Sequence, residues 1–418
     1  MSWLVPPDEL TSDQRRIVEL PMGQHWCVLG APGSGKTLAL LYRAQSLIDR
    51  ALVAPDRMHI FVFTNVLKQY IRNALEELGL PEGSVTTLDD WCKSYFETHL
   101  PGRIPRDGQK QIPDFGAIRK AVLNKVRGGR PLYDAILVDE GQDLDGECFD
   151  LVLSIARHVT VCVDHKQQVY DHGSTEEEIV RRLGLKRSNI TLLDAFRCCP
   201  YIVRIAAEFI ADSSERAAFL NQNRTEQMEK QTPLLYEAAD FEDERRRLIE
   251  IVRERQVVDR SIAILFPLRK QVAGFAHGLR EAGIEVDTWD RWRRTPMSFS
   301  NGVPKVLTFH SAKGLTFDTV LLPRLVPGSF PMVSSARFEK LMYVGITRAT
   351  KWVYLSTIKG SGIDGLIRLR KLAEIEDAPI SVQSWNKNDL SAAPSIGLAT
   401  GPATDSGDQE SDDLLDLL

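Results

Sequence analysis

A run of small residues closed by a lysine and a threonine, Gly30-Ala31-Pro32-Gly33-Ser34-Gly35-Lys36-Thr37, is the segment of this 418-residue sequence best suited to chemistry. Its glycines let backbone N–H groups turn inward around phosphate oxygens. The helix that follows adds a favourable dipole, Lys36 can reach the β/γ-phosphates, and Thr37 can hold Mg²⁺. The run follows an apolar, strand-like segment, Trp26 to Leu29, and opens a helical pattern from Lys36 to Asp49, which is the context a phosphate loop needs. The candidate nucleotide residues are therefore Gly30, Ala31, Pro32, Gly33, Ser34, Gly35, Lys36 and Thr37, with ATP and Mg²⁺ as the expected ligands.

A second cluster supplies what such a loop lacks. After the apolar run Ala135 to Val138 comes Asp139-Glu140-Gly141-Gln142-Asp143. An acid at that strand end can meet the metal: Asp139 is expected to orient Mg²⁺ through its waters, and Glu140 to activate the attacking water as general base. An isolated acidic turn is usually solvated surface, so the pairing with the glycine loop carries this reading. Phosphoryl transfer also needs positive charge at the terminal phosphate, for which Arg197 and Arg348 are the two candidates, although by sequence alone either reads as a surface residue.

The elements that must position these residues are legible as alternating patterns. Apolar, β-rich runs at Trp26 to Leu29, His59 to Phe63, Ala135 to Val138 and Val159 to Val163 have helical patterns between them. The rhythm returns at Ser261 to Leu265, Val306 to Phe309, Thr319 to Leu322 and Trp352 to Leu355. Such runs read as parallel sheets covered on both faces, and hence as two α/β domains. The boundary is expected near Asp194, giving a first domain over 1–193 and a second over 194–385, with the cleft facing the C-terminal ends of both sets of strands. If the arginines come from the second domain, ATP closes the cleft and hydrolysis opens it.

At 43% hydrophobic and 26% charged, the chain has no apolar stretch near the roughly 20 residues that span a bilayer, and Met1 to Leu10 lacks a signal-peptide layout. A cytoplasmic location is expected. The six cysteines form no CxxC pair and read as reduced, mostly buried thiols. The net charge of −5 is concentrated after Asn386, where one lysine faces seven acids, so the body is near neutral and can still present a local basic groove. The tail over 386–418, rich in Ser, Gly, Ala, Asp and Pro, is expected to be disordered. Its alternating acids and leucines from Asp412 to Leu418 suit either a solubilising tail or the docking of a protein partner.

In order along the chain, these segments resemble the helicase motifs of the UvrD/Rep family of superfamily 1, from about Leu10 to Ser356. Leu10-Thr11-Ser12-Asp13-Gln14-Arg15 is similar to the family's Q motif, which implies that Gln14 reads the adenine edge. Phe63-Thr64-Asn65 resembles a segment touching single-stranded DNA, which implicates Thr64 and Asn65. Val163-Asp164-His165-Lys166-Gln167-Gln168-Val169-Tyr170 resembles the motif that couples γ-phosphate sensing to the DNA groove, which implicates Gln167, Tyr170 and His172. By the same likeness Phe196 stacks on adenine and Arg197 contacts the γ-phosphate. The most specific matches are Thr308-Phe309-His310-Ser311-Ala312-Lys313-Gly314-Leu315 and Glu339 to Ala349; they assign Gly314 to the nucleotide, His310 to DNA and Arg348 to the phosphate. The resemblance implies two RecA-like P-loop domains with an interdomain ATP cleft, and an ATP-driven 3′-to-5′ motor on single-stranded DNA, with RNA as another conceivable track.

Departures from the pattern are specific. The family's Lys-Gly-Leu-Glu is here Lys313-Gly314-Leu315-Thr316, Ala195 replaces an Asn, His172 replaces an aromatic, and Asp89 replaces a histidine. Only Cys92 to Tyr133 and Gln271 to Lys305 leave room for insertions. Within the second of these, Trp289-Asp290-Arg291-Trp292-Arg293-Arg294 interleaves aromatics with cations, so Trp289 and Trp292 are candidates for stacking on bases, although a strand edge with solvated arginines gives the same pattern. Two functions follow: a translocating helicase, or a nucleic-acid-gated ATPase switch that signals to a partner without processive unwinding.

Overall fold

The computed structural model describes residues 4–108, 112–164, 173–186, 190–193, 198–222, 230–289, 297–299, 301–331, 333–361 and 363–384. The first sheet is built from β1 (Trp26–Gly30), β2 (Met58–Phe61), β3 (Val85–Thr86), β4 (Tyr133–Val138), β5 (Ala156–Val163) and β6 (Ile190–Leu193) in the order β3-β2-β4-β5-β1-β6. Every pairing in it is parallel. The second comprises β7 (Leu234–Ala238), β8 (Ile262–Phe266), β9 (Asp287–Thr288), β10 (Lys305–Thr308), β11 (Phe317–Leu322), β12 (Ala349–Ile358) and β13 (Ser381–Ser384), in the order β13-β7-β12-β11-β8-β10-β9, again all parallel. All eight expected strands are present. Their apolar runs are continuous because both faces of each sheet are covered: β2, β8 and β10 are buried along their whole length.

The covering helices of the first domain are α1 (Ser12–Val18), α2 (Lys36–Asp49), α3 (Asn65–Glu77), α4 (Leu88–His99), α5 (Phe115–Val126), α6 (Gly146–Ile155) and α7 (Glu176–Arg182). Those of the second are α8 (Pro200–Ala207), α9 (Ser213–Gln222), α10 (Phe241–Val258), α11 (Arg269–Glu281), α12 (Ser335–Ile346) and α13 (Asp364–Leu372). Most starts are fixed by a short polar side chain: Thr64, Thr87, Asp114, Asp145 and Ser334 each accept a backbone N–H of the first turn. The expected insertion in the first domain is helical, formed by α4 and α5, which pack on the sheet through Trp91, Phe96, Ile118 and Val122.

Asp194 lies outside the described residues. On one side of it β6 pairs with β1. On the other, the Cys199 N–H donates to the Thr350 carbonyl of the second sheet at 2.7 Å. Among the described residues no helix is long and apolar enough to cross a membrane. All six cysteines are buried. The tail from Asn386 lies outside the described residues.

Candidate active site between the two sheets

The glycine loop leaves the C-terminal end of β1 and delivers Lys36 and Thr37 as the first residues of α2. Gly33 and Gly35 adopt left-handed backbone, with φ of 75° and 82°, a conformation other residues hold only at a cost. Gly35 has a second reason to lack a side chain, since a Cβ there would collide with the Gln14 amide. That amide is doubly fixed: Oε1 accepts the Thr11 N–H at 3.0 Å, and Nε2 donates to the Ser34 carbonyl at 3.0 Å. Lys36 Nζ lies within the loop, donating to the carbonyls of Gly30 at 2.7 Å and Ala31 at 3.1 Å, and it faces Asp164 Oδ2 at 3.4 Å.

β4 ends opposite, and Asp139 at its tip accepts a hydrogen bond from Thr37 Oγ1 at 2.5 Å. These two hard oxygen donors fit Mg²⁺, which commonly takes one or two protein ligands and completes its shell with phosphate and water. Ser34 Oγ, buried in the loop, has no hydrogen-bond partner among the described residues, which suits a site that receives a further oxygen. Burial, and then the adjacent Glu140 carboxylate, raise the Asp139 pKa to about 6; a divalent cation bound there would favour its ionised form.

Glu140 is held in left-handed backbone with φ of 54°, unusual for a residue other than glycine. Gln142 Nε2 donates to Glu140 Oε2 at 2.5 Å, and Gln142 Oε1 accepts the Asp164 N–H at 2.9 Å, so one amide aligns two acids. Burial alone pushes the Glu140 pKa up, yet the charges of Lys313, Lys36 and Arg348 outweigh it and the net shift is downward. Glu140 is thus an ionised, buried carboxylate: the state a general base needs.

Two of those cations come from the second domain. Lys313, in the connection between β10 and β11, pairs with Asp143 of the first domain, both side chains having 0% exposure. Burial drives the Asp143 carboxyl up to about 7 even against this ammonium, because desolvation of a fully enclosed charge outweighs what its partner returns, with the Glu140 carboxylate adding to the rise. Lys313 also lies over the Phe63 ring at 5.2 Å, and Phe63 meets His310 edge-on at 5.3 Å. Gly314 (φ 77°) packs against Leu67 of α3, where a Cβ would approach Leu67 Cδ2 to 2.7 Å. Arg348 is buried, donating to the carbonyls of Val344 at 3.1 Å and Leu315 at 3.3 Å.

This arrangement corrects the expected orientation of the cleft. The first domain does present the C-terminal ends of β1 and β4, but Arg348 immediately precedes β12, at its N-terminal end, and Lys313 lies on a connection rather than at a strand tip. The connection from β10 must return to the start of β11, and it meets the first domain on the way.

Of the other expected residues, Thr64 is buried with its hydroxyl committed to capping α3 (Leu67 N–H, 3.0 Å) and Asn65 is half-buried beside it. His310 is half-buried, its pKa pushed down to about 3 by burial and then by Lys313 and Arg269. Trp289 packs against the main apolar core. Gln167, Tyr170, His172, Phe196, Arg197 and Trp292 lie outside the described residues. Gln142, Asp143 and Lys313 also belong to the site, although the sequence alone assigns none of them a role.

Two all-parallel α/β domains facing each other across a phosphate loop, an acidic strand end and an opposing arginine define a tandem RecA-like nucleotide-binding protein. The profile of the UvrD/REP helicase N-terminal domain matches residues 10–127, and that of the UvrD-like helicase C-terminal domain matches residues 297–360. A Mycoplasma pneumoniae protein described as a probable DNA helicase is 24% identical over 314 residues, 67% of this chain and 56% of that protein. The ATP-dependent DNA helicase PcrA of Bacillus subtilis is 39% identical over 83 residues, 17% of this chain and 11% of PcrA. A probable DNA helicase II homolog of Rickettsia conorii is 41% identical over 64 residues, 13% of this chain and 10% of that protein. The two matched segments carry the N-terminal and C-terminal domain profiles of UvrD-like helicases, in that order along the chain, and the chain spans little more than half the length of the Mycoplasma pneumoniae relative.

Proposed function

We propose that the chain is an ATP-hydrolysing DNA helicase or translocase of the cytoplasm that moves 3′-to-5′ on single-stranded DNA. The observation that carries this reading is the Glu140 carboxylate, enclosed with cations from both domains around it. When ATP enters, Lys36 exchanges the Gly30 and Ala31 carbonyls for β- and γ-phosphate oxygens. Glu140 takes a proton from the attacking water as the water oxygen bonds to the γ-phosphorus and the bond from the β–γ bridging oxygen breaks, ADP leaving with that oxygen, and the carboxylate later returns the proton to solvent. Arg348 exchanges its carbonyl partners for the developing charge on the transferred group; Arg197 is proposed to join it. Gln14 and Phe196 hold adenine, and Gln167 senses the γ-phosphate. Mg²⁺, held through Thr37 and Asp139, neutralises phosphate charge when bound.

Motion follows from who supplies the charge. Cations of the second domain are drawn to a triphosphate bound on the first, so the cleft closes with ATP and relaxes after hydrolysis. Phe63 and His310 already meet across the interface, which supports a track running past Thr64, Asn65 and His310, with Trp289, Tyr170, His172 and Trp292 as further base contacts. The acidic tail is proposed as a site for a protein partner.

The test is ATP hydrolysis with single-stranded DNA, duplex DNA or RNA, beside displacement of strands carrying 3′ or 5′ overhangs. DNA-stimulated hydrolysis with unwinding from 3′ overhangs, both lost in Lys36→Ala, is the expected result. Hydrolysis indifferent to DNA, or stimulated only by RNA, would overturn it.

A further inference from the structure

Arg43 sits on α2, two turns beyond Lys36, with 0% of its surface exposed. Among the described residues no carboxylate pairs with its guanidinium, which donates instead to neutral acceptors. Nε bonds Thr160 Oγ1 at 3.1 Å, Nη1 bonds the carbonyls of Leu20 at 2.6 Å and Ile17 at 3.2 Å, and Nη2 faces His158 Nε2 at 3.1 Å. His158 is able to accept because burial, and then the Arg43 charge, hold it neutral with a pKa near 3. A fully buried cation without a counter-ion is costly, and such a group is retained where its position matters.

The carbonyls it holds are those at the end of α1. This helix has seven residues, too few to be helical alone, and it depends on its two ends. At the N-terminus a capping box links Thr11 and Gln14; at the C-terminus the exposed carbonyl dipoles converge on Arg43. Gln14 lies between these anchors, its amide donating to Ser34 in the phosphate loop. Tilting α1 moves Gln14 relative to the loop. We propose that Arg43 is a positioning residue of the nucleotide site: by holding the carbonyl end of α1 it sets the Gln14 amide, and so determines ATP affinity and selectivity for adenine over guanine.

The inference rests on the reading of Gln14 as the adenine contact. It is tested on the full chain with Arg43→Met, Arg43→Lys, Gln14→Ala and the Arg43→Met/Gln14→Ala double variant. Kd for ATP and GTP is measured by competition with a fluorescent nucleotide, with kcat, KM and the unfolding midpoint beside it. The expected result is an ATP Kd and KM raised about tenfold in Arg43→Met, with kcat at saturation within about twofold and GTP little affected. Arg43→Lys should recover part of the loss, and the double variant should be no worse than Gln14→Ala. ATP and GTP weakening together, losses that multiply in the double variant, or a lower unfolding midpoint with unchanged affinities would each overturn the proposal. If Arg43→Met does not fold, the same cycle run with Arg43→Lys gives the same decision. A wild-type chain that binds ATP without hydrolysing it contradicts the motor, yet the binding cycle still decides the role of Arg43.

Discussion

Replacing Glu140 by Gln separates binding from chemistry at this site. The substitution preserves size and one acceptor oxygen, so the hydrogen bond from Gln142 can persist, and the φ of 54° demands nothing new of the backbone. What disappears is proton affinity at an atom surrounded by Lys313, Lys36 and Arg348. Loss of a positioned general base slows reactions by about 10² to 10⁴, or roughly 3 to 5 kcal/mol on the barrier. ATP affinity should stay within about threefold of wild type or improve, because a negative charge has left the neighbourhood of the triphosphate. Single-turnover hydrolysis with enzyme in excess, run beside equilibrium nucleotide binding, reads the two effects apart. Turnover within about tenfold of wild type would refute the assignment of Glu140 as the base. Equal loss of binding and turnover would show that the carboxylate holds the loop together instead.

Other perturbations test the interface and the cores. Lys313→Met should destabilise the chain by about 3 to 5 kcal/mol, since Asp143 is left buried without its partner; adding Asp143→Asn should restore part of this in chemical denaturation, and strictly additive losses would contradict a paired role. Gly345→Ala places a Cβ 2.5 Å from Phe309 Cε1 and should cost about 1 to 3 kcal/mol by overpacking, visible as a lower unfolding midpoint with no change in ATP affinity. For pH, burial and then Lys68 lower His59 to about 4. The unfolded chain takes up this proton below about pH 6.5 while the folded one refuses it until near 4, so stability is lost as pH falls through that window. His59→Gln should therefore make the slope of stability against pH shallower by about 1.4 kcal/mol per unit there, and an unchanged slope would show that His59 is protonated in the fold.

The parts that sequence makes legible are those encoded contiguously. The glycine loop, α2 and the acid run after β4 each announce themselves within about ten residues, and the apolar strands follow because parallel sheets buried on both faces need unbroken apolar runs. Strands without that signature are silent: β3 and β9 have two residues each, and β13 is a polar edge, Ser381–Ser384. Contacts across the cleft are hidden for a different reason. Asp143 and Lys313 are 170 residues apart, and nothing local to either tells that they meet. Arg43 reads as an ordinary helical arginine until α1 is seen to end on it. The left-handed backbone of Glu140 has no signal, because the residue that tolerates φ > 0 is its neighbour Gly141. The orientation of the second domain differs from the expectation because strand-end rules describe open sheets that bind ligand alone, whereas here a connection and the start of β12 bring Lys313 and Arg348 to the acids of the other sheet.

The central claim is that a triphosphate on the first domain recruits the charge of the second. A structure with Mg²⁺ and a non-cleavable ATP analogue tests it most directly. The expected result has the terminal phosphate in contact with Lys36 Nζ, and the Arg348 guanidinium moved from the carbonyls of Val344 and Leu315 onto that phosphate. A bound triphosphate with Arg348 still on those carbonyls and turned away from it, or a triphosphate seated anywhere other than between the two sheets, would contradict the account.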